Sequence, residues 1–217
     1  MTAGDAVREA VAGPARNDLV RRAFRLEYAT LAWMAIEAAV AIGSGVSARS
    51  VSLLAFGIDS LIELASAGVL LWRLTVELRH GRAFAETAER RASRAAGGLL
   101  FALALYVVAA AGWKLATQTG EQFSWPGLAI TVLAMPIMYL LARRKIAVAE
   151  ALGSRAMRAD AMESVTCGWM SLAVAAGLTA QGLLGVWWID SVTALGIVWL
   201  LVKEGREAWR GDDCCGD

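Results

Sequence analysis

Residues 51–72 read VSLLAFGIDSLIELASAGVLLW: 22 residues, overwhelmingly apolar, with no basic side chain and with two acids, Asp59 and Glu63, near the middle. As a helix such a run crosses a hydrocarbon core of about 30 Å. The i, i+4 spacing stacks the two carboxylates one turn apart on a single face. A carboxylate at that depth costs at least about 2–3 kcal/mol, so it faces a protein interior and marks a functional site. Two on one face repel each other unless a cation or a proton lies between them. The competing reading is structural, with one protonated acid hydrogen-bonded to the other and joining helices.

Composition extends this stretch to the whole chain. Of 217 residues, 58% are hydrophobic, against about 45–50% in soluble domains. The fold expected is an all-α membrane protein, a six-transmembrane-helix bundle. Its spans fall at about 28–46, 51–72, 95–116, 124–142, 157–181 and 186–202. Gly43, Ser44 and Gly45 are expected to break the first span near its end, and the few residues around 47–50 to make a tight antiparallel hairpin with the second. Ser124 is a candidate cap for the fourth span, with Pro126 in its first turn and a kink at Pro136. Polar linkers are expected at 73–94 and from Arg143 to the start of span five. The organisation is then a cytoplasmic N-terminal segment (1–24), a six-span transporter domain (25–207) and a short cytoplasmic Cys/Asp tail (208–217).

The charge pattern sets an orientation. Nineteen of the 21 Lys and Arg lie in the N-terminal segment, the two long linkers and the tail, leaving Arg49 and Lys114 on the other side. The positive-inside rule places both termini in the cytoplasm, N-in and C-in, in a multi-pass protein of the cell membrane. Net charge is +1, which gives no footprint for nucleic acid, and the three Cys (Cys167, Cys214, Cys215) form no disulfide framework. No cleavable signal peptide is visible ahead of the first apolar run.

Span five carries Asp160, Glu163 and Cys167. At 1.5 Å per residue, Asp59 lies roughly 12 Å below the outer end of span two, and Glu63 roughly 6 Å deeper. Glu163 and Cys167 lie roughly 9 and 15 Å above the inner end of span five, a similar depth. Packing the two spans together would gather Asp59, Glu63, Glu163 and Cys167, four donors suited to a tetrahedral divalent ion. Carboxylates alone suit harder ions such as Mn²⁺ or Mg²⁺, and a thiolate shifts preference towards Zn²⁺, Cd²⁺, Co²⁺ or Fe²⁺. Other polar groups keep two readings each. Asp160 is an inner-gate ligand or a helix cap. Asp190 caps span six or lines an outer vestibule. Glu37 pairs with a neighbour, relays a proton or adds a fifth ligand. His80 in its charged linker, and Cys214 and Cys215 with Asp212, Asp213 and Asp217, either bind metal or are simply solvated.

Three stretches carry a resemblance. SVSLLAFGIDSLIELAS resembles the second span of the cation diffusion facilitator (cation efflux) family, RADAMESVTCGWMSLAV its fifth, and GVWWIDSVTALGIVWLLVKEG its sixth. The likeness covers the membrane part, from about Arg25 to Glu207, without the family's cytoplasmic C-terminal metal-binding domain. It implies a proton-coupled metal exporter working by alternating access, usually as a homodimer, with the ion held between spans two and five. The family's first ligand pair falls on Asp59 and Glu63. The second falls on Glu163, where zinc members typically have His, and Cys167, where they have Asp. The proton exchange assigned to that His would then rest on Glu163.

The expected function is export of a divalent ion of the Zn²⁺, Cd²⁺, Co²⁺, Fe²⁺ or Mn²⁺ type, Zn²⁺ first among them, with protons as counter-ion and no permanently bound cofactor. The lipid bilayer, the metal ion and a second copy of the chain are the expected partners. The alternative is a non-transporting membrane metal sensor or assembly partner whose acids only join helices. A membrane enzyme is disfavoured, since the chain has one His and no HExxH motif.

Overall fold

A computed structural model describes residues 3–80, 82–152 and 155–210. Regular structure among the described residues is entirely helical: α1 (Ala3–Ala48), α2 (Val51–His80), α3 (Arg82–Thr117), α4 (Trp125–Leu152), α5 (Arg155–Leu184) and α6 (Ile189–Arg210). The chain is a helical membrane bundle. Among the described residues, five stretches are long and apolar enough to cross a bilayer: Asp18–Ala48, Val51–Val69, Gly97–Thr117, Trp125–Leu152 and Asp160–Leu184. Helix α6 differs from the expectation. It has 22 residues, but Lys203, Glu204, Arg206 and Glu207 crowd its second half, and it runs against α3, α5 and α2.

Where described, the polar stretches expected to be linkers are helical instead. Residues 73–80 extend α2, 82–94 belong to α3, and α4 continues to Leu152. Residues 73–80, 82–94 and 143–152 hold neither Gly nor Pro, and their Arg, Glu, Leu and Ala are good helix formers, so nothing local stops the backbone where the apolar run ends. Likewise α1 passes unbroken across residue 24, and α6 across residue 207.

The short connections α1–α2, α3–α4 and α5–α6 share one end of the bundle, here called the hairpin end. At the first, Ser50 N donates to Gly45 O at 2.9 Å and Arg49 N to Val46 O at 3.3 Å. This is the two-bond pattern that closes a helix on a left-handed residue, and Arg49 takes that conformation with φ 56°. The expected tight hairpin is present. The expected break at 43–45 is not, because Gly45 serves packing: a Cβ there would lie 2.9 Å from Leu54 N. Ser124 caps α4 as expected, accepting from Gly127 N at 3.1 Å, and α4 runs through Pro136 without interruption.

Helix α2 is central, packed against α1, α3, α5 and α6. Its faces are buried accordingly, with Leu53, Ala55 and Phe56 in the core alongside Val107, Ala134, Met170 and Ile197. Large apolar side chains such as Leu105, Trp169 and Trp199 point outward, as lipid-facing positions do. Trp113, Trp125, Trp187 and Trp188 are exposed around the hairpin end, which fits an interfacial aromatic belt.

Candidate metal site

The buried polar side chains fall into separate groups. The first is at the hairpin end, where Asp190 accepts from Ser50 Oγ (2.6 Å), Val51 N (2.8 Å) and Ser52 N (3.3 Å). Asp190 therefore caps α2, not the helix it belongs to, and ties the two together. Lys114 Nζ reaches Asp190 Oδ2 at 3.2 Å, Glu121 Oε2 at 3.1 Å and Arg49 O at 2.8 Å. All three ammonium protons have acceptors. Burial, and then the Asp190 carboxylate, push the Glu121 carboxyl above its ordinary range against the pull of Lys114.

The second group surrounds Glu37 of α1, which is fully buried. Its Oε1 accepts from Ser60 Oγ at 2.7 Å and from the Cys167 thiol at 3.4 Å, and its Oε2 from Trp33 Nε1 at 2.6 Å. Of the three roles open to Glu37, pairing with neighbours is the one the geometry displays. Both of its oxygens are engaged, and Cys167 is turned towards it.

The third group lies towards the opposite end of the bundle. Lys145 of α4, with no exposed surface, bridges Glu27 of α1 (Nζ to Oε2, 3.3 Å) and Asp160 of α5. Asp160 is thus one arm of a buried ion triad joining three helices. Neither Glu27 nor Lys145 stood out in the sequence, where Lys145 follows Arg143 and Arg144. The buried positions Leu141, Ala142, Val148 and Ala149 show the signal that was there, since Lys145 lies three or four residues from each and so shares their face.

The fourth group has no such partners. Asp59 and Glu63 of α2 and Glu204 of α6 each offer a carboxylate oxygen within 4.8 Å of the others. Asp59 is fully buried, and Glu63 and Glu204 are each 7% exposed. None of their six oxygens has a hydrogen-bond partner. They line a small cavity of about 10 Å³, walled by Ile62 and Leu100, which Glu163 of α5 also lines. That volume holds one water-sized body. The structure thus brings together Asp59, Glu63 and Glu163 from the sequence-derived set, sets Cys167 against Glu37, and adds Glu204. The sequence masked Glu204 between Lys203 and Arg206. Yet it continues the buried stripe Ala194, Ile197 and Leu201 at helical spacing, which is the signal that could have found it.

Chemically, three carboxylates this close in a dry environment are not stable as three bare anions. They take up protons, a cation, or both in exchange. The expectations for Cys214, Cys215 and the acids of the tail fall outside the described residues, as does the side chain of His80.

Residues 28–210 match the family described as the cation efflux transmembrane domain. A curated relative, an uncharacterized transporter of Synechocystis sp., is 28% identical over 174 residues, which is 78% of this chain and 56% of that protein. The chain therefore spans a little over half the length of that relative. With the match running through all six helices and enclosing every member of the carboxylate cluster, the chain belongs to the cation efflux family, a family of transporters rather than enzymes.

Proposed function

We propose that the chain exports a divalent metal cation from the cytoplasm in exchange for protons, within the cell membrane and with both termini cytoplasmic. The observation that carries this reading is the unpartnered carboxylate cluster: Asp59, Glu63 and Glu204 are buried together with six free oxygens around a cavity of ionic size. The structural alternative, acids that only join helices, has a visible counterpart elsewhere in the fold. Glu37 and the Glu27–Lys145–Asp160 triad are what such joining looks like, with their carboxylates engaged by donors.

In this cycle the ion enters from the end opposite the hairpins. It meets Asp59 and Glu63, with Glu163 on the same cavity wall, and displaces their protons. The hairpin end is closed meanwhile by Lys114, Asp190, Ser50 and Glu121. Rearrangement of the helices then reverses access, and protons return to the carboxylates as the ion leaves. Glu163 takes over the proton exchange that His performs in zinc-type relatives.

Sealed proteoliposomes carrying an internal pH dye test the reading. Zn²⁺, Cd²⁺, Co²⁺, Fe²⁺ and Mn²⁺ are added singly. Metal-dependent proton movement is expected for at least one ion, with its loss in Asp59→Ala and a fall of at least tenfold in Glu163→Ala. Folded protein that moves protons with none of these ions would sink the proposal.

A further inference from the structure

Metal sites bridging α2 and α5 would leave α6 a structural element. The side chains say otherwise. Glu204 comes from α6, three residues past the buried Leu201, and its carboxylate meets those of Asp59 and Glu63 within 4.8 Å. A carboxylate buried to 7% exposure with both oxygens unpartnered is costly in a helix that otherwise packs well. Lys203 does not neutralise it. That ammonium lies 4.0 Å from Glu207 on the surface.

The thiol expected in the site is engaged elsewhere. Cys167 donates to Glu37 at 3.4 Å, and Glu37 is in turn held by Ser60 and Trp33. To bind an ion, Cys167 would have to break that contact and lose its proton beside the Glu37 carboxylate.

We propose that Glu204 is a direct ligand of the transported ion, joining Asp59 and Glu63 of α2 in an all-carboxylate site whose cavity Glu163 of α5 also lines, with Cys167 outside the coordination sphere. It rests on the cation-transport reading above and adds its ligand set and cargo class. Oxygen donors alone suit an ion such as Mn²⁺ or Fe²⁺ and give no advantage to thiophilic Cd²⁺. A cavity of about 10 Å³ has no room for a hydration shell, which disfavours Mg²⁺ because it dehydrates reluctantly.

Mn²⁺ binding to the purified chain in nanodiscs, followed by loss of the free-ion EPR signal, tests this without transport. The unmutated chain is expected to bind Mn²⁺, Glu204→Gln to weaken it at least tenfold, and Glu204→Asp to recover part of the loss. Cys167→Ser is expected to stay within twofold for both Mn²⁺ and Cd²⁺. The Gln variant keeps the side-chain size and removes a repelling charge, so it is expected to fold, which circular dichroism of the same preparation checks. On the unmutated chain, Mn²⁺ is also expected to protect Glu204 from carbodiimide modification read by mass spectrometry. If Glu204→Gln and Glu204→Asp bind like the parent while Asp59→Asn does not, the ligand assignment is overturned and the transport reading stands. Loss of Cd²⁺ and Mn²⁺ binding in Cys167→Ser would likewise overturn it in favour of a sulfur-containing site. If the unmutated chain binds neither ion, the ligand and cargo assignment is overturned, and the transport reading is decided by the five-ion proteoliposome assay.

Discussion

Lys145 has no exposed surface and serves two carboxylates from two other helices. Its two basic predecessors are exposed, and the run Arg143–Arg144–Lys145 reads as the start of a cytoplasmic linker. Composition alone does not separate the three. The difference arises from helical phase, because only the third falls on the face that α1 and α5 cover. Removing the ammonium leaves Glu27 and Asp160 buried without their cation, so Lys145→Met is expected to destabilise the protein by about 3–5 kcal/mol. Unfolding in detergent micelles monitored by circular dichroism checks this. Replacing all three members of the triad with apolar residues is expected to cost far less than the single change. Glu204 was hidden in the same way, by charged neighbours that point elsewhere. Asp59 and Glu63 were legible because no other charged residue lies between Arg49 and Arg73. The partner of Cys167 was not, because i, i+4 spacing gives a face and a depth but not which of two neighbouring helices a side chain turns to.

Among the elements, the number and order of helices could be read from apolar runs, while their ends could not. Hydropathy marks where lipid stops, and the backbone continues as helix through Arg, Glu and Ala. Glycine placement sets how closely two elements approach. At Gly97 of α3 the space is occupied by α6 within the chain. A Cβ there would lie 2.8 Å from Gly205 O and 3.0 Å from Trp209 N. This close approach lets α6 lie along α3, and Gly205 directly follows Glu204. Gly97→Val is therefore expected to destabilise the fold by about 1–3 kcal/mol. It is also expected to displace the Glu204 carboxylate and lower Mn²⁺ affinity, although residue 97 touches no ion. Thermal unfolding and EPR titration of the same preparation separate the two effects, and an unchanged affinity would show that α6 positions its ligand independently of this contact.

For the molecule as a whole, the segregation of basic residues sets a polarity that helix packing does not. Arg49 and Lys114 both belong to the hairpin end, where Lys114 Nζ bonds the Arg49 carbonyl. If that end faces outward, single Cys residues placed at Thr119 or Gln122, both exposed, are expected to react with a membrane-impermeant maleimide on intact cells. A Cys at exposed Arg144 should react only after permeabilisation. The reverse pattern would invert the direction of transport proposed above.

The Asp190 cap has a mechanical side. It fastens the start of α2 to the start of α6, while further along the same two helices the carboxyl groups of Asp59, Glu63 and Glu204 confront one another, repelling whenever they are ionised together. Two rods clasped at one end and mutually repelling further down behave as sprung tweezers. Unneutralised carboxylates part the free ends, and a doubly charged ion draws them together. The clasp fixes the pivot, so in the proposed cycle a separation of the carboxylates becomes a larger displacement at the far tips of α2 and α6, the end proposed for the ion's entry. In the proposed cycle, such an arrangement would convert charge neutralisation directly into movement of the entrance.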